Sequence, residues 1–231
     1  WCSDNSCSDK SFTRKKSLLK FNYTIDHTQV VRAERVKDLG VIFDQKLTFS
    51  LHIQETILQC NKVLGCITRT AKYISDLTCL KVLYNSFVRS KLEYCSCVWN
   101  PSTAIDSGAL ERVQKRFLRI LYFKETGIYP HYKTHPVSSA TLMNKYEMST
   151  VESRRDSLDM IFLHKLLTAK IDCSLLLELL TFNVSAVRNR RRNMFYLNGR
   201  HLDLSPLFRI VKSLEDTDLD LLMSPKLTDI H

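Results

Sequence analysis

Residues 80–123 read LKVLYNSFVRSKLEYCSCVWNPSTAIDSGALERVQKRFLRILYF, and this stretch decides the fold. Its first half repeats apolar side chains at steps of three and four: Leu80, Leu83, Tyr84, Phe87, Val88, Leu92, Cys95, Val98 and Trp99. That spacing lays them along one face of a 3.6-residue helix, with Lys81, Asn85, Arg89 and Glu93 opposite. Pro101 stops the helix, because it lacks an amide hydrogen and pushes Asn100 away from helical angles. A second helix is predicted to open near Asp106 or Ser107, either of which can cap free amides. Leu110, Val113, Phe117, Ile120 and Leu121 form its inner face, and Arg112, Lys115, Arg116 and Arg119 lie opposite. Two readings of those cations stand side by side. They are the ordinary solvated face of a soluble helix. Or they track phosphates, since four like charges with no acid between them repel one another unless a polyanion is near.

Working outward, the upstream pattern has period two. Leu19, Phe21, Tyr23 and Ile25 alternate with polar residues and predict a half-buried strand, turned by Asp26-His27. Val30-Val31 begins a second strand, and Val36 to Phe43 gives a third, with Leu39, Val41 and Phe43 alternating around Gly40. A glycine within a strand marks a bulge or a close approach by another backbone, or else simply a loop edge. From Ser50 the period changes. Ile53, Ile57, Cys60, Leu64, Ile67 and Ala71 predict a helix capped by Thr48 or Ser50, and Asp76 caps the next one.

Downstream of Phe123 a loop carries Gly127, Pro130 and Pro136, then a short helix runs near Ala140 to Tyr146. Ser149-Thr150-Val151-Glu152 fits a capping box. The helix it starts should turn Leu158, Ile161, Phe162, Leu166 and Leu167 inward and Arg154, Arg155 and Lys165 outward. Ser174 is expected to cap a leucine-rich turn through Leu180, and Ser205-Pro206 to open a last helix. Between them Arg188, Arg190, Arg191 and Arg192 form a dense basic cluster, and the tail from Glu215 is acidic at first and expected to be loose.

A chain of 231 residues with 5 Gly and 5 Pro suits one large or two small, mainly helical domains. A net charge of +10 favours polyanionic partners, nucleic acid or an anionic membrane surface. No apolar run of bilayer length occurs, so no span is expected. The first residue is Trp1, no secretory leader is visible, and the chain reads as a piece of something longer. The 8 cysteines form no compact framework and read as reduced core thiols of an intracellular protein. The sequons at Asn22 and Asn183 then carry no meaning.

Several chemistries are excluded. Cys95 and Cys97, two positions apart on a helix, diverge too far to share a zinc ion, and His131 and His135 do not complete a site. Asp216, Asp218 and Asp220 open like a calcium loop, but Leu221 and Leu227 stand where Gly and Glu are needed. Gly-rich phosphate loops and nucleophile elbows are missing, as is any Asp-Asp pair to hold catalytic magnesium.

The order of pieces nonetheless resembles a family. Val36-Lys37-Asp38-Leu39-Gly40-Val41-Ile42-Phe43-Asp44, Leu47-Thr48-Phe49 and His52-Ile53 resemble the segment after the active site of non-LTR retrotransposon reverse transcriptases, most closely the jockey-like elements of animals. Asn61-Lys62, Leu64-Gly65, the run from Leu83 to Ser90, Leu92-Glu93-Tyr94, Val98-Trp99-Asn100-Pro101 and the run from Leu110 to Arg119 continue it. Glu152-Ser153-Arg154-Arg155, Ile171-Asp172-Cys173 and Ser205-Pro206-Leu207 follow in register, so the likeness covers most of the chain.

The resemblance implies an α+β architecture: a small antiparallel sheet remnant at the N-terminus, then a mainly α-helical thumb-like body. Residues 1–48 would be palm-edge strands, 49–124 the thumb, and 125–231 a helical extension. Lys37 to Val41 is similar to the family's primer-grip hairpin, where Gly40 would let the backbone approach the primer end. Arg112, Lys115, Arg116 and Arg119 would track phosphates of an RNA/DNA primer–template duplex, and Arg188, Arg190, Arg191 and Arg192 would do likewise. The Tyr-Ala-Asp-Asp type turn is absent, and Trp1 to Lys16 looks like a shortened form of the segment that follows it. The chain would therefore bind without catalysing, hold no Mg2+ of its own, and take neither a membrane nor a small-molecule substrate. Two other readings remain: a stand-alone basic helical module for RNA or acidic partners, and a non-functional transposon-derived product whose cut sheet leaves open edges.

Overall fold

Short strands give way to helices along the chain, as seen in a computed structural model that describes residues 8–9, 12, 24–25, 27–29, 31–130, 137–182, 195–197 and 205–213. The first strands are β1 (Ser8–Asp9), β2 (Thr24–Ile25), β3 (Thr28–Gln29) and β4 (Val31–Arg32). β2 and β3 pair antiparallel around His27, whose φ of 61° makes the turn expected at Asp26-His27. β1 pairs with β4 in parallel. Most of the strand expected over Leu19 to Ile25 lies outside the described residues.

β5 (Arg35–Asp38) and β6 (Val41–Asp44) form an antiparallel hairpin in which Asp38 pairs with Val41. Leu39 and Gly40 both have positive φ, 44° and 84°, as the favoured two-residue hairpin turn requires. Gly40 is thus not inside a third strand, and Leu39 does not alternate inward with Val41. Leu39 sits at the tip, 82% exposed, because the chain reverses there. This antiparallel hairpin, followed by mostly helical chain, makes the architecture α+β.

The helices follow: α1 (Ser50–Thr70), α2 (Leu77–Tyr84), a π-helical segment Asn85–Arg89, α3 (Ser90–Glu93), α4 (Ser96–Trp99), α5 (Ala104–Thr126), α6 (Ser139–Lys145), α7 (Val151–Leu167) and α8 (Ser174–Glu178). β7 (Leu180–Phe182) pairs antiparallel with β8 (Phe195–Leu197), and α9 (Pro206–Lys212) ends the described chain. Contacts divide the chain into two compact units. One comprises Trp1–Leu92 with Pro101–Tyr129, the other Glu93–Asn100 with Pro130–His231.

In the first unit α1, α2 and α5 pack around Leu64, Leu80, Tyr84, Val88, Leu110, Phe117 and Leu121, all removed from solvent. Tyr84 stacks on Phe117 with ring centroids 4.1 Å apart, and its hydroxyl donates to Gln114 Oε1 at 3.2 Å. Such a pair adds about 1 kcal/mol beyond the area it buries. In the second unit Leu163 and Leu166 of α7 meet Phe195 of β8 and Leu207, Ile210 and Val211 of α9. Ser205 caps α9 by accepting from the Phe208 amide, as the Ser-Pro pair predicts.

The long helix expected from Leu80 to Trp99 is interrupted twice. Ser90 N–H reaches back to Asn85 O, the five-residue bond of a π turn. Leu80, Tyr84, Val88 and Leu92 are all fully buried at steps of exactly four positions along the chain. In an α-helix a step of four overshoots a turn by about 40°, so this series would wander off the face. The wider π turn brings it back. It also carries Phe87, expected inside, out to 54% exposure. The helix also breaks at Cys95, whose φ is 53°, before α4 ends at Trp99 as expected, with Asn100 at a non-helical ψ of 129°.

Helix starts differ in detail. Asp76 caps α2 as expected, accepting from Thr78 N–H at 2.8 Å. α5 opens at Ala104, earlier than expected, because Thr103 takes the cap and accepts from the Asp106 amide. At α7 the cap is Thr150, one residue beyond the Ser149 of the expected box. Cys173, not Ser174, holds the cap position of α8.

Candidate nucleic-acid interface

α5 is a 23-residue helix whose inner side chains leave one strip facing water. Arg112, Arg116 and Arg119 are exposed on that strip and Lys115 is half-buried beside them. Steps of three and four keep the four within about a third of the helix circumference. Among the described residues, no carboxylate forms an ion pair with any of them. The acid that neighbours them in sequence, Glu111, is turned inward and buried. From Arg112 to Arg119 the strip rises roughly 10 Å, the axial length of about three base pairs.

α1 lies alongside α5 and runs in the same direction. Ser50 Oγ meets Asp106 Oδ2 at 3.3 Å near both N-termini, and Arg116 Nη1 donates to Asn61 Oδ1 at 3.3 Å farther along. Lys62 and Arg69 are also exposed on α1, on the side opposite Cys60, Leu64 and Ile67, about a quarter turn from Asn61.

The hairpin residues stand elsewhere in this unit. Lys37 and Gly40 are exposed on β5 and at its turn. The hairpin docks on α1 where Ile42 N–H donates to His52 Nδ1 at 3.3 Å. His52 and Asn61 are nine positions apart, so they leave α1 about half a turn out of phase. Lys37 and Gly40 therefore flank α1 on the other side from Asn61 and do not join the α5 strip. Arg188, Arg190, Arg191 and Arg192 fall between β7 and β8 in sequence and lie outside the described residues, as do His131, His135 and the acidic tail.

Two polar groups hold the hairpin-to-helix junction. The Asp44 carboxylate accepts from the Thr48 and Phe49 amides, both at 2.8 Å, and from the Thr48 hydroxyl. It ties down the two residues just before α1; Phe49 holds the cap position without a side-chain cap, and the Ser50 amide donates to Thr48 Oγ1 at 3.5 Å. Partial burial alone would raise the Asp44 pKa, but those donors outweigh it and hold the carboxyl below its usual value. Burial pushes His52 the other way, below the usual imidazole value, with Glu55 opposing and Lys37 adding to the shift. A neutral ring is what an Nδ1 acceptor requires.

The second unit contains a buried polar chain that the sequence pattern assigned to the surface. Arg155 is 1% exposed rather than outward, and its Nε donates to Asn100 Oδ1 at 2.8 Å. Asn100 Nδ2 donates to Asp159 Oδ2 at 3.3 Å, and Arg209 Nε reaches the same oxygen at 3.2 Å. Arg209 Nη2 also donates to Cys97 O at 2.8 Å. Burial raises the Asp159 pKa, and Arg209 and Asn100 pull it part of the way back. Arg154 forks onto Glu93 beside this chain. These groups join the short α4 and its C-cap to α7 and α9, and each is engaged with protein partners.

Of the thiols, Cys60 is fully buried and its pKa is pushed up to about 11 by burial. Cys66 and Cys79 are exposed, so they are not core thiols: both sit on outward faces of their helices. Among the described residues no three acids, histidines or cysteines gather as a metal site, and no helix is long and apolar enough to cross a membrane. Comparison of the chain with protein families, with curated proteins and with solved structures finds no match.

Proposed function

We propose that the chain is the palm-edge, thumb and extension part of a jockey-like non-LTR retrotransposon reverse transcriptase, and that its first unit binds RNA/DNA primer–template duplex. The observation that carries the binding role is the α5 strip: Arg112, Lys115, Arg116 and Arg119 on one outward face, without an ion-pairing acid among the described residues. The retrotransposon reading rests on the order of sequence pieces, and the hairpin over the stretch likened to a primer grip agrees with it. Catalysis is not part of the proposal. The sequence contains no Asp-Asp pair to hold Mg2+, and the chain would contribute grip, in an intracellular setting.

Arginines suit this task because a planar guanidinium meets phosphate oxygens with two parallel hydrogen bonds. Fluorescence anisotropy with a labelled RNA–DNA hybrid tests the reading. Arg112→Ala with Arg116→Ala should weaken binding roughly ten-fold or more at physiological salt. Lys170→Ala, which removes an exposed charge outside the first unit, should leave it nearly unchanged. Equal losses from both variants would reduce the interface to net charge. Tighter binding of an acidic peptide than of the hybrid would favour a general acidic-partner module.

A further inference from the structure

The α5 strip ends in an exposed aromatic pair. Phe123, one turn beyond Arg119, is 49% exposed, and Tyr129 is 48% exposed. Their ring centroids lie 6.1 Å apart at 63°, edge to face. Large aromatic surface in water is costly, so such a pair needs an explanation.

The pair is held by a built turn. Gly127 closes α5 with φ 73°, a left-handed angle that disfavours any residue with a Cβ, and its amide returns to Phe123 O at 2.9 Å. The Thr126 hydroxyl binds Tyr122 O at 2.8 Å and contacts the Ile128 main chain. The chain therefore doubles back and sets Tyr129 against Phe123. In an edge-to-face pair the edge-on ring gives neither of its faces to its neighbour.

We propose that Phe123 and Tyr129 form a stacking platform for unpaired bases of a nucleic-acid strand whose phosphates run along the α5 cations. The proposal rests on the duplex-binding role assigned to that strip and extends it to a junction between paired and unpaired nucleotides. Charge and shape favour this occupant. Every base has a flat π face and carries a phosphate, and cations one turn from aromatic rings match both features. An apolar protein partner would match the rings and leave Arg116 and Arg119 facing it.

Binding of the full chain to a blunt duplex, and to the same duplex with a short single-stranded overhang of DNA or RNA, tests the inference. The wild type should bind the overhang forms more tightly than the blunt one. Phe123→Ala with Tyr129→Ala should weaken overhang binding by roughly five-fold or more and leave blunt binding unchanged. Phe123→Trp should keep the preference and show emission quenched by the overhang, beyond any change from Trp1 and Trp99 in the wild type. A wild type without preference, or a preference that survives loss of both rings, overturns the inference. So does a double variant that only melts earlier, since the pair would then merely cap α5. Failure of Arg112→Ala with Arg116→Ala to weaken blunt-duplex binding instead overturns the duplex reading, and no binding to any of these ligands overturns both.

Discussion

Asp44 and His52 sit where β6 gives way to α1, and each responds to pH for its own reason. Three donors stabilise ionised Asp44, so its pKa lies below the ordinary 3.8. Its contribution is complete above that value and is lost as pH falls through the lower folded one. Burial penalises protonated His52, so its pKa lies below 6.5 and the folded state takes up that proton less readily than the unfolded chain. Stability from this group is complete above 6.5 and erodes as pH drops beneath it. Urea unfolding at a series of pH values should therefore show two separate acid losses. His52→Gln should remove the one that begins near neutrality, and Asp44→Asn the lower one. Asp44→Ala should cost about 1 kcal/mol or more at neutral pH, since it removes three hydrogen bonds to a charged acceptor. A single acid step left intact in both variants would contradict these roles. Little of this was legible beforehand: Asp44 closes a strand pattern, and nothing in its neighbours says that its carboxylate turns forward to hold the Thr48-Phe49 backbone ahead of α1.

At the scale of elements, periodicity identified α1, α5 and α7 because their apolar positions repeat at the helical spacing, and the Ser205-Pro206 start signal identified α9. It misread the stretch from Leu80 to Trp99 where the winding itself changes. The series Leu80, Tyr84, Val88, Leu92 fits a helix face only if one turn is widened, and Phe87 is the residue that the widening expels. Deleting Phe87 leaves the spacing four, three, four, which suits a plain α-helix. The deletion should keep a cooperative thermal transition by circular dichroism, whereas deleting Leu118 from α5, which throws every later core position off its face, should abolish it. Loss of the transition in both would contradict this assignment. Arg155 was misplaced for a different reason. A helical wheel puts charge outside, and burial of an arginine depends on partners far away in sequence, here Asn100, which showed itself only as a residue before proline. Asp159→Ala should destabilise the protein by about 3 kcal/mol, measured by urea unfolding, because it strands Arg209 and Asn100 beside it. A cost under about 1 kcal/mol would mean the chain of polar contacts is not holding α4, α7 and α9 together.

Across the whole molecule, a net charge of +10 states only that polyanions are favoured. Its distribution on the first unit is more informative. The cations of α5 were legible as one face from spacing alone. The separation of Lys37 and Gly40 from that face required knowing where the hairpin docks. The salt dependence of hybrid-duplex binding measures the central claim most directly, since each neutralised phosphate releases counterions. If the four α5 cations each meet a phosphate, log affinity against log salt should fall with a slope near −3.6, as about 0.9 per contact, and near −1.8 in Arg112→Ala with Arg116→Ala. The same slope in wild type and variant would contradict a phosphate-tracking role for α5.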